Sequence, residues 1–159
     1  MTVQDFIALV DQMRRTSVPR RLIFLWRGPA KELENLLEEI EINRIDIAFI
    51  SPEKENVSED TQHILENYLN KECQSYENNR NEPSALIVEN AILLARYRCD
   101  MSPIFRHGIS PRSAVILIFP KESLKQMPLK TEGWIKKDTS VILLQVAKQL
   151  GEPECIIER

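Results

Sequence analysis

Residues in two places along this 159-residue chain could bind a nucleotide. Gly28, Pro29 and Lys31 follow the first apolar run, and backbone N–H groups in such a turn, together with a lysine ammonium, bind phosphate in many proteins. Glu89 and Asn90 follow another apolar run, where a carboxylate beside an amide could hold Mg²⁺ or transfer a proton. We therefore take these residues as a candidate nucleotide-binding site.

The phosphate-binding turn is incomplete. A P-loop has the pattern G-x-x-x-x-G-K-[ST], in which successive backbone N–H groups surround the phosphates while the lysine and the hydroxyl contact phosphate and Mg²⁺. From Gly28 this chain reads Gly-Pro-Ala-Lys-Glu, about four residues short of that pattern, and Glu32 stands where the hydroxyl is needed. A carboxylate there would repel phosphate, so we expect no catalytic residue, no cofactor and no bound metal.

Arginines form two groups that could bind nucleic acid or another anion, one around the first apolar run and one before the fourth. Arginines interleaved with Tyr97 and Phe105 could contact phosphates and stack on bases. With a net charge of -3, solvated arginines that balance the glutamates are the simpler interpretation, and Glu89 could pair with Arg96 or Arg112. The candidate anion-binding residues are Arg14, Arg15, Arg20, Arg21, Arg27, Arg96, Arg98, Arg106 and Arg112.

Short apolar runs alternate with amphipathic segments along the chain. The runs at 21–26, 84–88 and 114–119 are nearly continuous, which is typical of strands buried on both faces. The segments 45–51 and 154–158 are predicted as a second strand and a fifth, edge strand. The predicted fold class is therefore α/β: a three-layer sandwich with a mainly parallel sheet of about five strands and helices on both faces.

Helices are predicted at 30–42, 60–76 and 140–150 from the spacing of their apolar residues. In the second of these, Ile64, Leu65, Tyr68 and Leu69 are expected to face inward. We predict that residues 1–159 form a single α/β domain, with an N-terminal helix within residues 1–18 that packs on the sheet.

Composition is that of an ordinary globular protein, with 43% hydrophobic and 28% charged residues. The N-terminus lacks the basic and apolar regions of a leader, and no stretch reaches the ~20 apolar residues of a membrane span. Three widely spaced cysteines indicate free thiols in a reducing compartment. We therefore predict a cytoplasmic protein without a membrane partner.

The order strand, Gly-Pro, lysine and helix, together with an acidic residue ending a later apolar strand, resembles a degenerate P-loop NTPase with a P-loop or Rossmann-like fold. More narrowly, the runs SALIVENAILLARY and SPRSAVILIFP are similar to those of the small P-loop protein of BREX phage-defence clusters (BrxF). Members of that family carry a full Walker A motif, which this chain lacks. An unrelated α/β fold, including a flavodoxin-like sheet, also fits the pattern.

The resemblance implies a non-catalytic, P-loop-like accessory subunit that binds a protein partner in a larger prokaryotic complex, such as one used in phage defence. A nucleic-acid-binding module built on the clustered arginines is the alternative. An atypical nucleotide-binding protein or small enzyme would instead depend on Lys31 and Glu89.

Overall fold

The centre of the protein is a parallel β-sheet. The computed structural model describes residues 1–18, 22–49, 59–79, 81–91, 93–94, 99–100, 102–107, 112–118 and 156–157. Its strands are β1 (Ile23–Trp26), β2 (Glu41–Asp46), β3 (Ser84–Glu89), β4 (Ser113–Ile118) and the two-residue β5 (Ile156–Ile157). They lie in the order β2-β3-β4-β1-β5, and every neighbouring pair is parallel. The predicted α/β class with a parallel sheet is confirmed.

Helices precede and connect the strands. They are α1 (Val3–Arg15), α2 (Ala30–Leu36), α3 (Glu59–Asn79) and α4 (Ser102–His107), and a 3₁₀ turn (Ile47–Phe49) follows β2. α1 begins with a capping box, because the Asp5 N–H donates to the Thr2 hydroxyl at 3.1 Å while the Thr2 N–H donates to the Asp5 carboxylate at 3.1 Å. The described helices contain no segment that is both long and apolar enough to cross a membrane.

Strand register divides the side chains of the sheet between two faces. Phe24 is aligned with Ile116 and Ile116 with Ile87, so these side chains point to the same face. α1 covers this face, since the ring of Phe6 lies edge-on to that of Phe24, with centroids 5.1 Å apart, and 6.1 Å from that of Trp26. Burial of these aromatic rings anchors α1 to the sheet.

The end of α1 is joined to the end of α2 by Arg14. Its guanidinium donates hydrogen bonds to the carbonyl oxygens of Leu36 at 3.1 Å and Glu38 at 2.7 Å. These carbonyl groups at a helix end have no partner within the helix, and the arginine supplies one. α2 is thereby held beside α1.

The opposite face of the sheet is buried too. Leu25, Leu86 and Leu117 point to that face and are fully buried, which is usual for strands of a parallel sheet. At its amino end, the hydroxyls of Ser84 and Ser113 hydrogen-bond to each other at 2.9 Å, and both residues are fully buried. The pairing satisfies polar groups that burial would otherwise destabilise.

The region after β1 differs from the sequence-based prediction. α2 ends at Leu36 instead of 42, because Glu39 has a φ of 68°, a left-handed conformation that an α-helix does not accommodate. The next strand is 41–46 instead of 45–51, and a 3₁₀ turn takes up the apolar residues that follow it. The prediction was wrong because β2 is a largely polar edge strand, whose pattern is less apolar than that of the turn.

α3 includes the predicted segment 60–76, but the prediction that all four assigned residues face inward is wrong for one of them. Leu65 and Leu69 are fully buried, as expected, whereas Ile64 is 49% exposed. The buried face continues through Cys73, at spacings of four residues, and Ile64 lies one residue off that row.

The predicted helix at 140–150 and the last residues of the predicted strand 45–51 lie outside the described residues. The single domain stays a prediction.

Replacing Phe6 by alanine should destabilise the protein by about 3 to 5 kcal/mol, because it removes a fully buried ring that contacts two aromatic residues of β1. Urea unfolding followed by circular dichroism measures this change in the free energy of unfolding. The neighbouring substitution Ile7→Ala is the control and should cost less than about 1 kcal/mol, since Ile7 is 36% exposed. Equal losses for the two variants would contradict the described packing of α1.

Candidate functional site

The connection between β1 and α2 is closed by the side chain of Trp26. Arg27, Gly28 and Pro29 separate the last residue of β1 from the first residue of α2. The indole N–H of Trp26 donates to the carbonyl oxygen of Pro29 at 3.1 Å, and the side chain is fully buried. The ring therefore folds back over the turn in which a P-loop would hold phosphate.

Contact between the turn and the indole is close. A Cβ atom placed on Gly28 would lie 2.7 Å from Cζ2, 2.8 Å from Cε2 and 2.9 Å from Nε1 of Trp26, nearer than carbon atoms normally approach. Glycine is required at this position because any side chain would collide with the ring. Gly28 thus lies against an indole ring, and its contact with a phosphate stays a prediction.

The backbone of Arg27 and Pro29 is not available to an anion at this turn. The Arg27 N–H donates to the carbonyl oxygen of Ile157 at 3.2 Å, which ties the turn to β5. Pro29, at the N-cap of α2, has no N–H and makes no capping hydrogen bond through its side chain. Lys31 is exposed in the first turn of α2. Two of the three residues between β1 and α2, Arg27 and Pro29, therefore offer no backbone N–H to a phosphate.

Glu89, the acidic residue of the candidate nucleotide-binding site, forms an ion pair. Arg44 Nη1 lies 3.2 Å from Glu89 Oε1, and Arg44 Nη2 also hydrogen-bonds to Glu34 Oε1. One guanidinium thus links α2, β2 and β3 through two carboxylates. All three side chains are partly exposed, so the direct gain in stability is modest, but the positive charge between them opposes the binding of a cation.

Arg112, which the sequence suggested as a partner of Glu89, lies at the other end of the sheet. It precedes β4, and its guanidinium donates to the carbonyl oxygens of Met13 at 3.1 Å and Arg14 at 2.8 Å. Glu89 ends β3, and a strand of six residues spans roughly 20 Å. The pairing with Arg112 is therefore wrong, and that with Arg96 lies outside the described residues.

Asn90 completes the edge of the sheet beside Glu89. Its φ is 54°, a left-handed conformation that asparagine tolerates better than most residues. Its side-chain amide donates to Asp46 Oδ1 at 2.7 Å, and the same carboxylate oxygen accepts the N–H of Ala48 at 2.9 Å. Asp46 thereby joins the turns that follow β2 and β3.

The two halves of the candidate site are separated in the sheet. Gly28, Pro29 and Lys31 follow β1, whereas Glu89 ends β3 and Asn90 follows it, and β4 lies between the two strands. Neighbouring strands are ~4.8 Å apart, which puts β1 and β3 about 10 Å apart. Within the described part of the chain, no group of three or more His, Cys, Asp or Glu side chains could hold a metal ion.

The candidate anion-binding arginines that the structure describes lie at different ends of the sheet. Arg112 is beside Arg14 at the amino end of β4, where both donate to backbone carbonyl oxygens. Arg27 follows β1 at the carboxyl end, Arg15 is exposed at the end of α1, and Arg106 is exposed on α4. Arg20, Arg21, Arg96 and Arg98 lie outside the described residues. The nucleic-acid interface stays a prediction.

The two described cysteines are buried free thiols. Burial raises the pKa of Cys73 to about 12, and the nearby carboxylate of Glu77 also raises it. Burial raises the pKa of Cys99 to about 12 as well, with the charge of Glu66 adding to the effect. Thiolates are the reactive form of cysteine, so neither side chain is suited to act as a nucleophile.

Comparisons with protein-family models, with curated proteins and with solved structures found no match to this chain. The geometry of the candidate site is therefore the basis for any functional inference.

Sequence reasoning missed the three residues that organise the site: Trp26, Arg44 and Asp46. Trp26 was assigned to a buried strand, although a tryptophan two residues before a glycine could have suggested contact between the ring and the glycine. Arg44 lies between the predicted helix 30–42 and the predicted strand 45–51, and Asp46 lies within that predicted strand. Their alternation with Ile45 was the available signal for an edge strand.

Replacing Gly28 by alanine should destabilise the protein by about 1 to 3 kcal/mol, because the added Cβ would overlap the indole ring. Replacing Trp26 by leucine in the same chain removes the atoms that collide, so the double variant should lose less than the sum of the single losses. Chemical denaturation of the wild type, the two single variants and the double variant gives the free energies of unfolding from which this coupling is calculated. Strict additivity would show that the ring does not lie against Gly28.

Cys73 and Cys99 should react slowly with iodoacetamide in the folded protein and rapidly after unfolding, because burial and a raised pKa both suppress the thiolate. Mass spectrometry of a Cys155→Ser variant counts the labels on these two residues. Since the folded pKa of about 12 exceeds the ordinary 9.0, stability should be unaffected below pH 9.0 and should fall as the pH rises towards 12. Rapid labelling of both thiols without unfolding would contradict their burial.

Proposed function

We propose that this protein is a non-catalytic accessory subunit with a P-loop-like layout, which works by binding a protein partner in a larger prokaryotic complex of the phage-defence type. One observation carries the proposal: the indole of Trp26 occupies the turn between β1 and α2, where a nucleotide-binding relative would hold phosphate. A turn filled by a side chain of the protein itself leaves no space for phosphate, which supports a role that does not depend on nucleotide chemistry.

Strand order supports the layout. The chain moves from β1 to β2 in one direction across the sheet, and then returns through β3 and β4 and past β1 to β5 in the other direction. Since crossovers between parallel strands are right-handed, α2 belongs on one face and the β2–β3 and β3–β4 connections on the other, which gives three layers. Ligands of such sheets bind at the carboxyl ends of the strands where the direction reverses, here between β1 and β4.

Trp26 is the last residue of β1 and therefore lies at this reversal point. Its ring shares a face with α1 and α2, hydrogen-bonds to Pro29 and packs against Gly28. A phosphate there would have to displace a fully buried aromatic side chain. Burial of a large aromatic ring is worth a few kcal/mol, a cost that a weak anion contact to Lys31 would not offset.

The ion pair of Glu89 with Arg44 also supports a non-catalytic role. In a nucleotide-hydrolysing site this carboxylate would face Mg²⁺ or the attacking water. Here it faces Arg44, which also contacts Glu34. A carboxylate already paired with a guanidinium is poorly placed to coordinate a cation, so the ion pair, like the filled turn, supports a non-catalytic role.

Calorimetric titration with ATP and Mg²⁺ tests the proposal. We expect no binding heat for the wild-type protein, and the same result for Lys31→Ala and Glu89→Gln, because none of these proteins has space for the phosphates at the turn. ADP and GTP should behave alike. Nucleotide binding with micromolar affinity that the Lys31→Ala substitution abolishes would contradict the proposal and would show that the turn is a working nucleotide site.

The same two variants test the partner. Purified through a tag from the native cells, Lys31→Ala and Glu89→Gln should retain every protein that accompanies the wild type, and should protect the cells from phage equally well. Gly28→Ala, which destabilises the protein by about 1 to 3 kcal/mol, is the matched control and should reduce both through a smaller amount of folded protein. Loss of protection by a correctly folded Lys31→Ala protein would contradict a non-catalytic role.

A further inference from the structure

Arg112 is fixed to the sheet by its backbone and reaches α1 with its side chain. The Ser84 N–H of β3 donates to the carbonyl oxygen of Arg112 at 3.1 Å, immediately before β4 begins. The Arg112 guanidinium donates from Nε to the carbonyl oxygen of Met13 at 3.1 Å and from Nη2 to that of Arg14 at 2.8 Å. Carbonyl groups in the last turn of a helix have no partner within it. Arg112 therefore holds the end of α1 on the sheet.

Arg14 makes the same kind of contact between α1 and α2. Its Nε and Nη2 both donate to the carbonyl oxygen of Glu38, at 3.1 and 2.7 Å, and Nη2 also donates to that of Leu36 at 3.1 Å. Asp11, which lies one turn earlier in α1, forms an ion pair with the same guanidinium. The residue whose side chain holds the end of α2 is thus one whose carbonyl group Arg112 binds.

These contacts are stronger than hydrogen bonds between neutral groups. Each guanidinium carries a positive charge and lies at a helix end that carries a partial negative charge. The side chain of Arg14 is only 27% exposed, so water competes weakly for its donors. When α1 leaves the sheet, Arg14 must leave with it, and the carbonyl groups of Leu36 and Glu38 lose their partner. Arg112 stays behind, because its own carbonyl group is bonded to β3.

We infer that α1 and α2 open from the sheet as one unit, and that Arg112 controls both helices through Arg14. Within the described part of the chain, the Arg112 guanidinium binds carbonyl groups of α1 and none of α2. Opening of the unit uncovers the face of the sheet that carries Phe24 and Trp26. This opening is independent of the proposed function, because Arg112 lies at the amino end of β4, whereas the turn that Trp26 fills lies at the carboxyl end of β1.

Native-state hydrogen exchange of the full chain, followed for each amide by NMR, tests the inference. Arg112→Met removes the guanidinium and should accelerate exchange in α1 and in α2 by the same factor, about tenfold or more, because hydrogen bonds from a charged group are lost. Amides of β3 should accelerate only as far as global stability falls, which urea unfolding measures. Arg15→Met is the matched control, since Arg15 is exposed at the same end of α1, and it should leave exchange unchanged.

Arg14→Met distinguishes this coupling from a general loss of stability. It removes the contacts with α2 but keeps the backbone carbonyl group that Arg112 binds. Adding Arg112→Met to Arg14→Met should therefore accelerate exchange in α1 without a further effect on α2. Three results would overturn the inference: α2 unchanged in Arg112→Met, equal acceleration in α1, α2 and β3, or an effect on α2 that persists undiminished in the double variant. If Arg112→Met does not fold, Arg112→Lys must show a smaller acceleration that is equal in the two helices.

Discussion

The indole ring of Trp26 fixes the path of the chain at the carboxyl end of the sheet. Its N–H bonds to the Pro29 carbonyl, its ring leaves space for no side chain on Gly28, and its outer surface meets Phe6 of α1. The start of α2, the packing of α1 and the closed turn all follow from this one buried side chain. A smaller residue at position 26 would weaken the start of α2, the packing of α1 and the closed turn together.

Arg44 plays a comparable role at the polar edge of the sheet, which β2 forms. Its side chain binds carboxylates of α2 and β3, while its backbone carbonyl accepts the hydroxyl of Tyr76 from α3. A single residue of an edge strand is therefore connected to three other elements. These contacts explain why a strand with so few apolar residues keeps its register, for β2 buries little surface of its own.

Sequence patterns predicted the parts of the fold that depend on burial alone. β1, β3 and β4 were found because both of their faces are apolar, and α3 because its leucines recur every four residues. β2 was misplaced because its pairing depends on long-range contacts of polar residues such as Arg44, which no local pattern contains. The contacts of the candidate site could not be predicted for the same reason: Gly28 follows a strand and Glu89 ends one, as expected, but their partners Trp26 and Arg44 are set by tertiary packing.

Strand order also governs how this chain can fold as it is made. β1 is synthesised early, yet its strand partners are β4 and β5, which come from near the end of the described sequence. Contacts of this kind are slow to form, and until they do, the apolar strand has no neighbour in the sheet. α1 is the exception, since Phe6 reaches Phe24 and Trp26 across a short stretch of chain. The contact between α1 and β1 thus requires no later part of the chain, so it is available to the most aromatic strand before the other strands of the sheet have been synthesised.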